Sequence, residues 1–262
     1  MEFQLPYTVA GFFVGFIVGL TGVGGGSLMT PLLVLLFGFK PAVAVGTDLL
    51  YAAITKSGGI VVHQRKGNIE WRIVRLLASG SIPASLLSLL LLRYLDAAGV
   101  NYDRMITLVL AVALILTSLV LVFRKQMETL SQKENLDLIR TLHRRLRTPM
   151  TITSGAFIGF FVTLSSVGAG ALGAAILFFL YPRMRPITIV GTDLAHAIPI
   201  TAIAGLGHAQ LGTVDFVLLA NLLIGSLPGI YLGSHTGSRV PDHVMRPILA
   251  GMLLLIGVRM VF

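Results

Sequence analysis

The sequence predicts an all-α, polytopic integral membrane protein made of two inverted repeats. Each repeat holds a re-entrant-type helical hairpin and three transmembrane helices. Three observations carry this. Long charge-poor runs recur at 5–39, 41–62, 76–92, 105–123, 148–182, 187–207, 216–234 and 244–262, and a helix crosses the hydrocarbon layer in ~17–25 residues. The first half of the chain reappears in the second. Equivalent loops of the two halves carry opposite charge bias.

Composition supports the first point. Mean hydropathy is +0.88 and charged residues are 12%, about half the usual globular share of ~25%. A soluble core of this length could not hide so much apolar surface. Backbone groups in lipid must be paired within the segment, and the runs lack the alternation of barrel strands, so they are helices.

The repeat is explicit. GFFVGFIVGLTGVGGGSL (11–28) returns as GAFIGFFVTLSSVGAGAL (155–172), and VGTDL (45–49) as VGTDL (190–194). His63 to Gly67 return as His208 to Gly212, and SIP (81–83) as SLP (226–228). The offset is 144 residues and then 145, with 12 of the 26 positions in 11–36 identical to 155–180. The expected organisation is a first membrane repeat over 1–123, a basic cytoplasmic linker over 124–147 and a second membrane repeat over 148–262. In a protein this apolar, paired repeats point to a transporter with its site between the copies.

Charge sets the orientation. Loop 63–75 carries Arg65, Lys66, Arg72 and Arg75, whereas its counterpart 208–220 has no Lys or Arg. Cytoplasmic loops collect cations, so the two loops belong on opposite sides. With 63–75 inside, 72–93 runs outward and 104–123 runs inward. The linker then lies inside with seven cations, as do 182–186 and 235–246, and both termini are outside. Fifteen Lys/Arg are inside and four are outside.

That topology makes 5–39 and 148–182 fold back within the membrane. The turns fall at GVGGGS (22–27) and SVGAGA (166–171), where glycine permits left-handed backbone and close approach. The segments after them, about 27–38 and 171–181, reach only half-way across at ~1.5 Å per residue. They read as half-helices with N-termini at the midplane.

A half-helix N-terminus offers unpaired N–H groups and roughly half a positive charge, an anion site without a cationic side chain. Thr21 and Ser27 in the first turn, and Ser165 and Ser166 in the second, supply hydroxyls. Gly24, Gly25, Gly168 and Ala169 are the expected points of backbone approach to substrate. The competing reading is that glycine-rich turns only let helices pack closely.

Intramembrane ionisable groups are costly and mark function. Asp48, Lys56 and Asp193 lie within predicted helices, with His196 close by. Pro41 and Pro186 read as first-turn prolines, which puts both aspartates ~10 Å deep. Asp48 and Asp193 are proton carriers or hydrogen-bond anchors; alternatively Thr47–Asp48 and Thr192–Asp193 only bond loose backbone at the broken helices. Three roles are open to Lys56: contact with the anion, pairing with Asp48, or snorkelling. Thr201 stands at its place in the second repeat. His196 replaces Tyr51 and is a proton relay or a satisfied structural histidine. His63 and His208, at helix ends, read as interfacial.

Other classes are disfavoured. The net charge of +9 sits in loops rather than on a nucleic-acid surface. With no cysteine there is no disulfide, haem, iron–sulfur or thiolate chemistry. The start MEFQLPYTV lacks the basic n-region of a cleavable signal. No metal-ligand spacing, P-loop lysine or catalytic constellation is present, so the expectation is no enzyme, no cofactor and no metal.

GxxxGLTGVGGGSLMTPLL (15–33), PxxAVGTDLL (41–50) and the degenerate copy in 159–194 resemble the sulfite exporter TauE/SafE family of membrane permeases. Length, two-half construction and basic linker resemble it too. The resemblance implies a cell (plasma) membrane transporter of sulfur-containing anions such as sulfite, thiosulfate or organosulfonates, often an exporter. The second turn departs from the triple glycine, reading SSVGAGA.

The expected partners are a small anionic substrate and the lipid bilayer, with proton or sodium coupling and self-association left open and nucleic acid excluded. The alternatives are an anion channel, or a cation- or proton-coupled transporter using Asp48 and Asp193.

Overall fold

A computed structural model describes the backbone of residues 4–21, 26–132, 137–237 and 242–261, and the side chains of most of them. Among the described residues ten helices follow one another, with no strand. They are α1 (Leu5–Thr21), α2 (Gly26–Leu35), α3 (Pro41–Arg65), α4 (Trp71–Ala97) and α5 (Asp103–Gln132). The second half repeats the order as α6 (Asp137–Ser165), α7 (Ala171–Leu180), α8 (Pro186–Gln210), α9 (Phe216–Gly237) and α10 (Asp242–Val261). Spans within α4, α5, α6, α8 and α9 are long and apolar enough to cross a membrane.

Short helices stand at the places expected for half-helices from sequence. α2 and α7 have 10 residues each, about 15 Å of helix, and each follows a longer helix of its own half. The basic segment 124–147 is helical on both sides, because α5 continues to Gln132 and α6 begins at Asp137.

Packing crosses between the halves. α1 lies on α9, and the equivalent α6 lies on α4. A Cβ on Gly11, Gly15 or Gly19 would strike the backbone of Leu222, Ser226 or Ile230, and Gly225, Gly229 and Gly233 of α9 close on Thr8, Phe12 and Phe16. On the other side, Gly155 and Gly159 close on Leu77 and Ser81, and Gly80 on Ile152. Within lipid, helix association rests on such close backbone contact because burial of apolar groups adds little there.

α3 and α8 form the centre and run antiparallel. Gly46, near the start of α3, lies against His208 and Thr213 at the end of α8. Gly191, near the start of α8, lies against His63 and Asn68 at the end of α3. α5 and α10 pair antiparallel as well: the Ser118 hydroxyl donates to the Ala250 carbonyl at 2.7 Å, and Gly257 rests on Ala111 and Ile115. Leu, Phe, Val and Ile side chains left exposed on α1, α4, α5, α9 and α10 face outward, the arrangement a lipid environment requires.

Candidate functional site

The two VGTDL segments do the same job in exchanged places. Thr192 accepts the Glu70 backbone N–H at 3.0 Å, and Thr47 accepts the Asp215 backbone N–H at 3.1 Å. Each threonine thus caps the loop that follows the other half's central helix. Asn68 N–H donates to the His63 carbonyl and Thr213 N–H to the His208 carbonyl, so both loops are pinned alike. The partners of Thr47 and Thr192 are therefore loops of the opposite half rather than the backbone of the broken helices.

The aspartates one residue on point into the centre. Asp48 is fully buried, and its Oδ2 accepts a short hydrogen bond from the hydroxyl of Thr30 on α2. Its Oδ1 has no hydrogen-bond partner. Asp193 is 5% exposed; its Oδ1 lies where a side chain on Gly173 of α7 would stand, and it too has no hydrogen-bond partner. Each carboxylate therefore meets the half-helix of its own half. Buried polar atoms left without partners cost about 1–3 kcal/mol each, which makes these oxygens conspicuous.

The second turn is fully described. Ser166 has φ 58°, in the left-handed region that disfavours a side chain, while Gly168 (φ 120°) and Gly170 (φ 144°) use glycine's freedom. The hydroxyl of Ser165 donates to the Phe161 carbonyl at 2.6 Å and accepts the Val167 N–H at 3.2 Å, so Ser165 stabilises the turn itself. Ser166 is different. Its side chain is buried and faces Asp48, but its hydroxyl reaches no hydrogen-bond partner. α7 then starts after Gly170 with no side-chain cap. Ala169 is buried beside it.

Lys56 joins the halves here. Its Nζ donates to the Ala169 carbonyl at 2.7 Å. It is the sole buried Lys or Arg among the described residues, and it interacts electrostatically with both Asp193 and Asp48. Sequence alone did not offer this contact with a carbonyl of the opposite turn.

His196 is fully buried; its Nε2 bonds to the Ser81 hydroxyl at 2.8 Å and its Nδ1 has no partner. Tyr51 holds the equivalent place. Its hydroxyl faces Ser226, the counterpart of Ser81, without reaching hydrogen-bond geometry. His208 is fully buried, with Nδ1 bonded to the Thr213 hydroxyl at 2.8 Å and Nε2 to the Thr163 carbonyl at 3.0 Å. His63 remains half-buried.

Gly24 and Gly25 of the first turn lie outside the described residues, as do the side chains of Thr21 and Ser27. Sequence reasoning missed Thr30 and Ser81. Thr30 sits eighteen positions before its partner Asp48, and Ser81 is bonded to a residue 115 positions away; no local pattern links such pairs. Their one signal is a hydroxyl within a charge-poor run.

A family model for the sulfite exporter TauE/SafE matches residues 7–260. The chain belongs to the TauE/SafE family. A Bacillus subtilis (strain 168) protein, "Probable membrane transporter protein YjnA", is 38% identical over 96% of this chain and 97% of its own length. A second from the same organism, "Probable membrane transporter protein YdhB", is 30% identical over 93% of this chain and 97% of its own. A Methanocaldococcus jannaschii relative, "Probable membrane transporter protein MJ0441", is 26% identical over 96% of this chain. No solved structure matches the chain. As a TauE/SafE member the chain is a membrane transporter with several membrane-crossing helices, a family role that is not enzymatic.

Proposed function

We propose that this chain is a secondary transporter of small sulfur-containing oxyanions, such as sulfite, thiosulfate or organosulfonates. Its site lies between two inverted repeats at the glycine turns. The observation that carries the reading is the second turn: an uncapped half-helix N-terminus entered through Ser166, whose buried hydroxyl is unpartnered, with the Lys56 ammonium on the adjoining carbonyl. Donors converging at a helix start suit a compact tetrahedral oxyanion. The substrate class comes from the family's description as sulfite exporters.

The inverted arrangement is supported by the antiparallel packing of the equivalent helices α3 and α8, and of α5 and α10. Two copies related that way have opposite senses across the bilayer, as the charge bias of their loops requires. Repeats over 1–123 and 148–262, a cytoplasmic basic segment over 124–147, external termini and residence in the plasma membrane complete the proposal. Gly24, Gly25, Thr21 and Ser27 form the corresponding half of the site. Coupling to a cation or proton through Asp48 and Asp193 is favoured over a plain anion channel by the unpartnered oxygen that each buried carboxylate retains.

The test is a thermal-shift panel on purified protein with sulfite, thiosulfate, sulfate, taurine, sulfoacetate and phosphate. A ligand at a hundred times its Kd adds about 2.7 kcal/mol to stability. Stabilisation by a sulfur oxyanion, with a weaker response to phosphate, is expected. If no anion in the panel raises the melting temperature, the reading fails.

A further inference from the structure

The centre of the molecule holds three ionisable side chains in one buried cluster. Asp48 and Lys56 come from α3 and Asp193 from α8, and the ammonium interacts with both carboxylates. The remaining titratable groups facing them are few. Tyr51 of α3 stands near Asp48, and His196 of α8 near Lys56. α2 and α7 carry no ionisable side chain. On α4, α5, α6 and α9, the described acidic, basic and histidine side chains outside this centre — Arg72, Arg75, Arg93, Asp96, Asp103, Arg104, Arg147 and His235 — lie in the terminal parts of their helices or of the membrane-crossing spans within them.

His196 behaves as a neutral ring in this arrangement. One nitrogen is bonded to Ser81 and the other has no partner, whereas an imidazolium would bury a second N–H without an acceptor. The tyrosine is neutral for the same reason of burial without a stabilising donor. Charge in the cluster is therefore set by one ammonium and two carboxyl groups.

Net charge at the middle of a bilayer is costly by several kcal/mol per ion. With Lys56 protonated, the empty site is neutral when the two carboxyl groups hold one proton between them. A bound monovalent anion adds one negative charge. Neutrality returns when the second carboxyl group also takes a proton, and the unpartnered Oδ1 atoms of Asp48 and Asp193 provide places for those protons. A divalent anion would need a further proton, and the cluster has no third carboxyl group to accept one.

We propose that Lys56, Asp48 and Asp193 act as a charge balance that selects monovalent oxyanions, organosulfonates and hydrogensulfite over sulfate-like dianions, each binding with uptake of one proton. This rests on the anion-transport reading above and narrows its substrates. Lys56 is the fixed positive charge, tethered by its bond to Ala169; the two aspartates are the adjustable ones. The anion and its proton would move together without net charge.

Titration calorimetry of the purified full chain with methanesulfonate at pH 7.5, in two buffers of different ionisation heat, counts the protons. One proton taken up per anion is expected for the wild type, with sulfate binding at least ten-fold more weakly. The double variant Asp48→Asn/Asp193→Asn keeps the hydrogen-bonding shape and leaves only the ammonium, so it should bind methanesulfonate with no proton uptake. Lys56→Met should lose at least ten-fold in affinity. Methanesulfonate bound by the wild type without proton uptake, or sulfate bound as tightly, overturns the charge balance and leaves the transporter reading standing. Absence of binding by either anion, together with a flat thermal-shift panel, overturns both.

Discussion

The ammonium of Lys56, on the central helix of the first half, donates to the carbonyl of Ala169 in the turn of the second half at 2.7 Å. It is a strut between the halves made by a buried lysine. Its repeat-related position is Thr201, whose hydroxyl bonds instead to Ala197 and Ile198 of its own helix. The two halves share a fold but not a chemistry, and the strut stands on one side alone.

Ser166 separates folding from binding. Its φ of 58° disfavours any side chain, by roughly 1–2 kcal/mol. Ser166→Gly should raise the melting temperature in detergent while weakening anion binding by about 0.5–1.5 kcal/mol, the worth of one hydrogen bond. A variant that binds anion as well as wild type would exclude the hydroxyl from the site.

Asp48 anchors Thr30 whatever else it does. Asp48→Asn keeps an acceptor for that hydroxyl and should fold normally. Asp48→Leu leaves Thr30 unsatisfied and should lose about 1–3 kcal/mol. Equal unfolding temperatures for the two variants would show the bond to be of no consequence.

Gly80 and Gly251 make a matched pair for packing. A Cβ on Gly80 would strike the Ile152 carbonyl, whereas one on Gly251 meets nothing within 4 Å. Gly80→Leu should cost at least the ~1–3 kcal/mol of overpacking and lower the yield of monodisperse protein. Gly251→Ala should gain about 0.5–1 kcal/mol from helix propensity. The order of their melting temperatures is the readout.

Gln64 and Gln210 are exposed near the ends of α3 and α8. If the repeats are inverted as proposed, a membrane-impermeant thiol reagent added outside intact cells should label Gln210→Cys and spare Gln64→Cys. Labelling of both, or of Gln64→Cys alone, would contradict the proposed topology.

Much of this was legible in the chain because duplication supplies its own control. A glycine turn seen twice, each time before a short apolar run, identifies α2 and α7. VGTDL seen twice marks residues answering to both local and central needs. Hidden were the features that depend on which distant helix is the neighbour. The spacing of Gly11, Gly15 and Gly19 announces close packing but does not name α9 as the partner. His208 sits by a loop in sequence, yet Thr163 comes from another helix to cover it. Lys56 carries no mark in sequence of a bond 113 positions away.

The exchange of α1 and α6 between the halves has a consequence for how the chain can fold. One half by itself would leave its first helix with a bare row of glycines, and its fourth helix with an empty groove. Only the other half fills both vacancies. Neither half is therefore complete alone, and carrying both on one chain keeps the partner always at hand. The two central positions, Lys56 and Thr201, need not match, because each is held by a different neighbour.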